Sequence, residues 1–471
     1  MINQKFNRKI EAIFSIIVLI ILIMNNTSNL LQNSQGNKLV EKTNACEIEE
    51  KNEMLILLNK TIGDGTEYLT GKSIVKSTAG KYAVSGWTNS SGAGDMDVFV
   101  IGLDSNGNQE WNRTIGDVEE DKGYQIIVCD SGGYVVVSTF TNDSLALHTF
   151  TDIMVTKIAD NGDIIWNNFY GGPEQTGGSY SGDLGRSIVQ CSNGDFVIGG
   201  VTVTTAGNCD YWMFRISSSG IKIWDRTYHN WDIDRCYTPH SLLQCNDGGF
   251  AIVGYTYNST QSNDVWLIRT NSFGIPLWNK TFGDSGGYQR PEGLFEISGG
   301  GFIIIANTHS FGAGGSDAWV IRTDLMGNQI WNATFGGTLE DSGYSIMEMP
   351  NGEITFVGST HSFDQGNGDA WIVRMNENGT LLWNFTIGDP YGNSAGSFVY
   401  DGSETYTVLG STIGIGDQFG KMWILRLKLN TTIITLTPTN TTTVESDINL
   451  PSIIIGSLFA IAITKIRRKR R

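Results

Sequence analysis

The stretch from Gly343 to Ile387 changes its hydrophobic rhythm strand by strand. "GYSIMEM" reads as a first strand, "PNG" as a turn and "EITFVGST" as a second strand. A Gly-rich loop, "HSFDQGNG", leads to "DAWIVRM"; "NENG" then turns the chain into "TLLWNFTI". The second strand is apolar at nearly every position, as "GGFIIIANT" (300–308) shows more plainly. A strand patterned this way must be covered on both faces. The last strand alternates instead. In "WNATFGG" (331–337), Trp331, Ala333 and Phe335 face one way and Asn332 and Thr334 the other, which predicts an outer strand with one dry face.

That last phrase recurs. "WNRTIGD" stands at 111, "WNKTFGD" at 278, "WNFTIGD" at 383 and a Trp-less "LNKTIGD" at 58. Anchors at Leu58, Trp111, Trp166, Trp224, Trp278, Trp331 and Trp383 are 52 to 58 residues apart. A period of that size, with four strands per unit, predicts an all-β, seven-bladed β-propeller of four-stranded blades. A second Trp series (212, 266, 319, 371, 423) falls on the third strand, so eleven of the 13 Trp residues occupy repeat positions and read as core. The final unit has no "WNxT" strand, whereas "MLILLNKTIG" (54–63) is such a strand without the other three. The two are expected to join in one blade and close the ring. The alternative gives the last blade "TTIITLTP" (431–438) as its own outer strand.

Composition agrees with a turn-rich β protein: Gly 58 against Pro 8, with 17% charged residues. The net charge is −16, and without the basic ends the middle holds 23 basic against 47 acidic residues. Such a surface repels nucleic-acid phosphates and suits cations or basic partners.

The ends carry apolar segments. Residues 1–30, with Lys5, Arg8 and Lys9 before an apolar run from Ala12 to Met24, read as a signal peptide or signal anchor. Residues 31–53 read as a linker and 54–430 as the propeller ectodomain. The Thr-rich segment 431–447 reads as an extended, glycosylated stalk. Residues 448–464 read as a transmembrane helix, and 465–471 as a basic cytoplasmic tail. The expected location is the cell surface, propeller outside.

The unit W-N-x-T-[IF]-G-[GD] … [DN]-G-G-[FY] … G-x-T … D-x-W … G-x-x-x-W resembles the secreted bacterial and archaeal β-propeller repeats of adhesion-type proteins, over residues 54–430. The C-terminal stalk, span and basic tail resemble surface-anchoring signals. The resemblance implies a propeller fold and a surface location, with no common enzyme activity. "DSNGNQEW" (104–111) is similar to the Trp-docking motif of quinoprotein dehydrogenases and to the Asp-box of sialidases. It departs from both, and neither a quinone site nor an Arg triad accompanies it.

Asp97, Asp152, Asp210, Asp264, Asp317 and Asp369 each precede a third strand beside Gly-rich loops. They are candidate calcium ligands, set against the simpler reading that they cap loop N–H groups. The five His residues, at 148, 229, 240, 309 and 361, show no metal spacing, and His309 and His361 share a repeat-derived "THSF". Cys129, Cys191 and Cys245 share one repeat position and read as buried apolar residues. Cys209 and Cys236 are expected on the same face and are a candidate disulfide outside the cell. N-glycosylation sequons begin at Asn59, Asn89, Asn112, Asn142, Asn258, Asn279, Asn332, Asn378, Asn384, Asn430 and Asn440.

The loops 171–185 and 229–240 are long and rich in Tyr, Trp and charge, which marks Tyr180, Trp231, Asp232, Asp234 and Arg235 as the candidate ligand site. The leading expectation is a membrane-anchored module binding an extracellular glycan or cell-envelope protein. The alternatives are a structural envelope protein and an exported carbohydrate-active or quinone-type enzyme.

Overall fold

The computed structural model describes residues 46–50, 53–430 and 434–438, less residues 64, 66–67, 94, 143–149, 172–181, 204–208, 230–232, 236–239, 258–262, 285–286, 364–365, 415–416 and 418. Residues 53–430 form seven antiparallel sheets, the blades of a β-propeller, six of them built in chain order from the axis outward. Blade 1 is representative: Leu69–Lys76 is innermost, followed by Tyr82–Thr88, Asp97–Leu103 and Gln109–Ile115. In blade 4 the innermost strand is broken into Ile233–Arg235 and Leu242–Gln244, both paired with Phe250–Tyr257.

Burial follows the hydrophobic pattern. Every residue of Phe302–Thr308 is buried, because each flat face of a middle strand is covered by a neighbouring blade. Along Gln329–Phe335, Trp331 and Ala333 are half-buried and Phe335 buried, while Asn332 and Thr334 are exposed. The sheets share no single core. Mixed apolar clusters fill the seams instead, such as Ile303, Ile305, Val320 and Phe335 of blade 5 against Ile354, Phe356, Trp371 and Val373 of blade 6.

The ring closes through Glu53–Ile62, which pairs antiparallel with Lys421–Asn430 from Glu53↔Asn430 to Ile62↔Met422. The last blade therefore takes its outer strand from the N-terminal side. The competing segment pairs elsewhere: Ile434–Pro438 lies against Cys46–Glu50 in a separate two-stranded ladder. This pairing falls within the segments read as linker and stalk and was not anticipated. The apolar terminal segments lie outside the described residues. Among the described residues no helix is long and apolar enough to cross a membrane.

The repeated motif has a physical cause at each position. The Trp331 indole donates to Glu377 O at 3.0 Å in the next blade. It also lies over Gly379, whose φ is +80° and whose added Cβ would meet three ring carbons at 2.8–3.1 Å. The Gly of G-x-x-x-W is thus required both by its own turn and by the preceding blade's Trp. The Asn of WNxT serves its own blade: Asn59, Asn279 and Asn332 accept from the indoles of Trp423, Trp266 and Trp319 at 2.7, 3.3 and 3.1 Å. A further repeated feature escaped the sequence reading. Arg215, Arg269, Arg322 and Arg374 lie directly across from the outer-strand Trp residues. From there Arg215, Arg269 and Arg374 reach acids in the first hairpin of their own blade, Asp195, Asp247 and Glu353.

Candidate functional site: a cup on the propeller axis

The site is built by a backbone irregularity. Register slips at Gly71/Ser73, Gly123/Ile126, Gly185/Ser187, Pro291/Gly293, Gly343/Ser345 and Ala395/Ser397, at one equivalent place in each unbroken innermost strand, and the seventh blade slips again at Tyr400/Gly402. A bulge leaves a residue out of the ladder and re-aims its side chain. The first residue released in each is Lys72, Tyr124 (with Gln125 after it), Arg186, Glu292, Tyr344 or Gly396, and His240 holds the equivalent place in the broken strand of blade 4. All but Arg186 and Gln125 line one cavity of about 510 Å³, and Arg186 stacks on Tyr124 with its guanidinium carbon 3.8 Å from the ring centroid. Tyr288, Arg290, Asn307, His309, Glu340 and several Ser hydroxyls complete the wall.

The floor is a hydrogen-bonded bridge across the axis. Gln125 Oε1 accepts from Ser187 Oγ at 2.7 Å and from Ile188 N at 2.8 Å, which leaves its amide Nε2 as the donor to His240 Nδ1 at 3.1 Å. The other ring nitrogen, Nε2, then carries the proton and donates to Ser397 Oγ at 3.4 Å. Burial pushes the imidazole down to about 4, so it is neutral at physiological pH. His240 also has φ +67°, a left-handed conformation uncommon outside Gly, where the broken strand turns toward the axis. The hydroxyls of Ser73 and Ser241, buried at the same level, find no partner among the described residues.

The wall carries the charge. Glu292 is 5% exposed; its Oε1 lies 3.0 Å from Arg290 Nε in an ion pair and accepts a hydrogen bond from Asn307 Nδ2 at 3.4 Å. Burial still pushes its carboxyl up to about 7, against the opposing pull of Arg290 and Lys72. Burial lowers the Lys72 ammonium, with Glu292 opposing and Arg290, Arg186 and Lys122 adding to the depression. Lys72 Nζ sits 4.7 Å from the Trp87 ring centroid, and Trp87 leans on Tyr124 at 5.6 Å. Tyr288 and His309 meet edge to face at 5.5 Å.

The residues singled out by sequence lie elsewhere. Tyr180, Trp231 and Asp232 are outside the described residues. Asp234 and Arg235 pair through their backbone with Thr256 and Tyr255, and their side chains are outside the description. Cys209 is buried at the start of its strand, and Cys236 is outside the described residues, so their pairing is left open. Cys129, Cys191 and Cys245 are buried where the sequence placed them.

The repeated Asp residues sit at the blade seams. Asp97 Oδ2 accepts from Ala93 N at 3.1 Å, and Asp317 Oδ2 from Ala313 N at 2.9 Å and Gly314 N at 3.3 Å. Asp210 meets His229 Nδ1 at 2.8 Å. Asp97 and Asp317 each face an acid of the next blade, Asp121 and Asp341, across Gly116 and Gly336. Asp152 does the same with Asp183 across Gly171, Asp369 faces Asn393 across Gly388, and Asp264 is raised by burial and by Asp284. Among the described residues no three His, Cys, Asp or Glu side chains converge as a metal site.

Of the sequons, Asn59, Asn89, Asn112, Asn279, Asn332, Asn378 and Asn384 are exposed and Asn430 is half-buried. The side chain of Asn142 and all of Asn258 and Asn440 lie outside the description.

The sequence did hold a signal for the cup. Within "GKS", "GYQ", "GRS", "PHS", "PEG", "GYS" and "AGS", the middle residue changes from blade to blade, while Gly, Pro or Ala precedes it and Ser follows it in five of the seven.

No family model and no curated protein matches the chain. It is similar in outline to several solved structures. A protein of unknown function from Dyadobacter fermentans has 9% identity and a TM-score of 0.46, covering 80% of this chain and 99% of that one. The Neurospora crassa Pan2 WD40 domain has 11% identity and 0.45, covering 78% and 97%. The propeller domain of the Trilobed protease from Pyrococcus furiosus, described as having an open velcro topology, has 9% and 0.42, covering 76% and 93%. None of these informs the cup, whose chemistry rests on this chain's own residues.

Proposed function

We propose that the chain is a cell-surface, membrane-anchored β-propeller that works as an extracellular binding module for a glycan or cell-envelope ligand, received at the mouth of the axial cup. One observation carries this reading: bulges in the innermost strands of four blades direct Lys72, Tyr124, Glu292 and Tyr344 into a single cavity with a hydrogen-bonded floor. Its volume, about 510 Å³, falls within the ~300–1,000 Å³ typical of small-molecule sites. Rigid strands rather than mobile loops hold these side chains, which suits recognition without rearrangement. The apolar terminal segments and exposed sequons support an exported, anchored setting.

The test is to apply the full-length protein, in detergent, to arrays of surface polysaccharides and envelope fractions, and to map surface exposure on intact cells with protease. Saturable binding lost in Tyr344→Ala, together with cleavage of the propeller from outside, is the expected result. Binding unaffected by Tyr344→Ala and Tyr124→Ala would remove the cup from the reading, and protection of the propeller in intact cells would remove the surface setting.

A further inference from the structure

We infer that the cup is specific for an acidic sugar, whose oxyanion group seats between Lys72 and Arg290 while its hydroxyls meet the surrounding Ser and Asn side chains; this rests on reading the cup as a binding site.

The charge distribution is the first argument. The chain carries −16 overall, yet the cavity lining balances Lys72 and Arg290 against Glu292 and the rim acid Glu340, with Arg186 stacked beside it on Tyr124. A pair of cations gathered in one cavity of an acidic protein focuses small anions while the outer surface repels polyanions.

The second argument is unused donor capacity. Lys72 makes no ion pair or hydrogen bond among the described residues, and only the Trp87 face meets its ammonium. Arg290 meets Glu292 through its Nε, an ion pair at 3.0 Å. Its two Nη groups have no partner among the described residues and form the fork that grips an oxyanion in bidentate fashion. Arg186 and Lys122 are committed elsewhere, to Thr139 and Tyr124 and to Glu120.

The rest of the lining selects a sugar over an inorganic anion. Ser316, Ser342, Ser394, Ser411, Thr70 and Asn307 present hydroxyls and an amide, and Tyr288 and Tyr344 supply flat faces. Hydroxyl-rich rings with one charged substituent match that mixture.

A proton follows from the same geometry. Glu292 is faced by Arg290 on its own strand, Asn307 on the next strand and Lys72 from another blade, and the neutral His240 and Glu340 line the same cavity. An anion bound to Lys72 and Arg290 diverts their charge from Glu292 and favours its protonated form. Binding therefore takes up a proton near neutral pH and is tighter at pH 6 than at pH 8.

The experiment is titration calorimetry of the full-length protein in detergent. The probes are glucuronate, glucose 6-sulfate and glucose 6-phosphate, with glucose as the neutral control, in buffers of different ionisation heat. The expected result is saturable binding of an acidic probe, at least tenfold weaker binding of glucose, and at least tenfold loss in both Lys72→Gln and Arg290→Gln. Heats should depend on the buffer in the wild type and lose that dependence in Glu292→Gln. Which acidic probe binds best separates a carboxylate from a sulfate or phosphate ester, and any of the three supports the inference. Equal binding of glucose, or silence toward all three acidic sugars, overturns it. If an uncharged glycan then binds on the arrays and Tyr344→Ala abolishes that binding, the binding-module reading survives and only the acidic ligand class is lost.

Discussion

Changing Arg374 to Ala should destabilise the junction between the sixth and seventh blades. The guanidinium is 2% exposed and joins Glu353 Oε2 at 2.5 Å and Glu404 Oε2 at 2.7 Å, with Tyr406 and Asn351 as further partners. Glu353 belongs to its own blade and Glu404 to the next, so the side chain ties a seam. Removing one partner of a buried pair costs about 3–5 kcal/mol. Both carboxylates keep roughly a third of their side chains in water, at 33% and 31%, so part of their lost pairing returns as hydration. Tyr406 keeps its hydrogen bond to Glu404 Oε2 at 3.2 Å and is not orphaned. The expected net loss is about 2–3 kcal/mol. Urea unfolding followed by Trp fluorescence measures it, and a cycle with Glu404→Gln isolates the cross-seam pair. The expected coupling is about 1 kcal/mol or more. A loss under about 0.5 kcal/mol, within the ordinary range of surface changes, or additivity of the two changes, would show that the seam does not depend on this network.

Gly379→Ala and Gly352→Ala separate turn strain from ring contact. Both positions have φ near +80°, at +80° and +84°, but a Cβ at 379 meets the Trp331 ring and one at 352 meets nothing within 4 Å. Each should lose about 1–2 kcal/mol to the left-handed conformation, and Gly379→Ala about 1–3 more from overpacking; equal denaturation midpoints would refute the ring contact. Asp121 is buried, and burial with the nearby Asp117 and Asp97 raises its carboxyl from 3.8 to about 6. The folded chain holds this proton where the unfolded chain has released it, so the contribution is present below about pH 4 and lost as pH rises through 6. Denaturation midpoints measured across that range should fall less steeply in Asp121→Asn, and an unchanged slope would exclude this group as the source.

The propeller was legible because its periodicity is written twice, in the Trp spacing and in the change of rhythm from strand to strand. Closure was legible too: an outer strand at 54–63 without its blade, and a blade at 393–430 without its outer strand, admit one economical join. The cup was harder to see. Its central side chains, Lys72, Tyr124, Glu292 and Tyr344, come from strands far apart in sequence and stand where a bulge releases them, a register event that alternation alone does not reveal. Long, aromatic loops such as 171–185 and 229–240 are far more conspicuous in composition. His309 shows the difference: its repeat neighbour His361 made it look merely inherited, yet it lines the cavity while His361 bonds Glu340 O at the rim of the next seam.

The closing blade has a mechanical consequence. Because Glu53 pairs with Asn430, the two strands that lock the ring leave it side by side, at the same end of their ladder. Tension that draws both chain ends in one direction places no differential load across that ladder. Tension on the two in opposition first meets the ladder of Cys46–Glu50 with Ile434–Pro438 and then opens the closing pairs one after another from Glu53↔Asn430 toward Ile62↔Met422, as a zipper rather than a bolt. A propeller tethered by both ends to one support would resist a pull on its far face, and the same ring drawn by its two ends in opposition would peel from the lock inward.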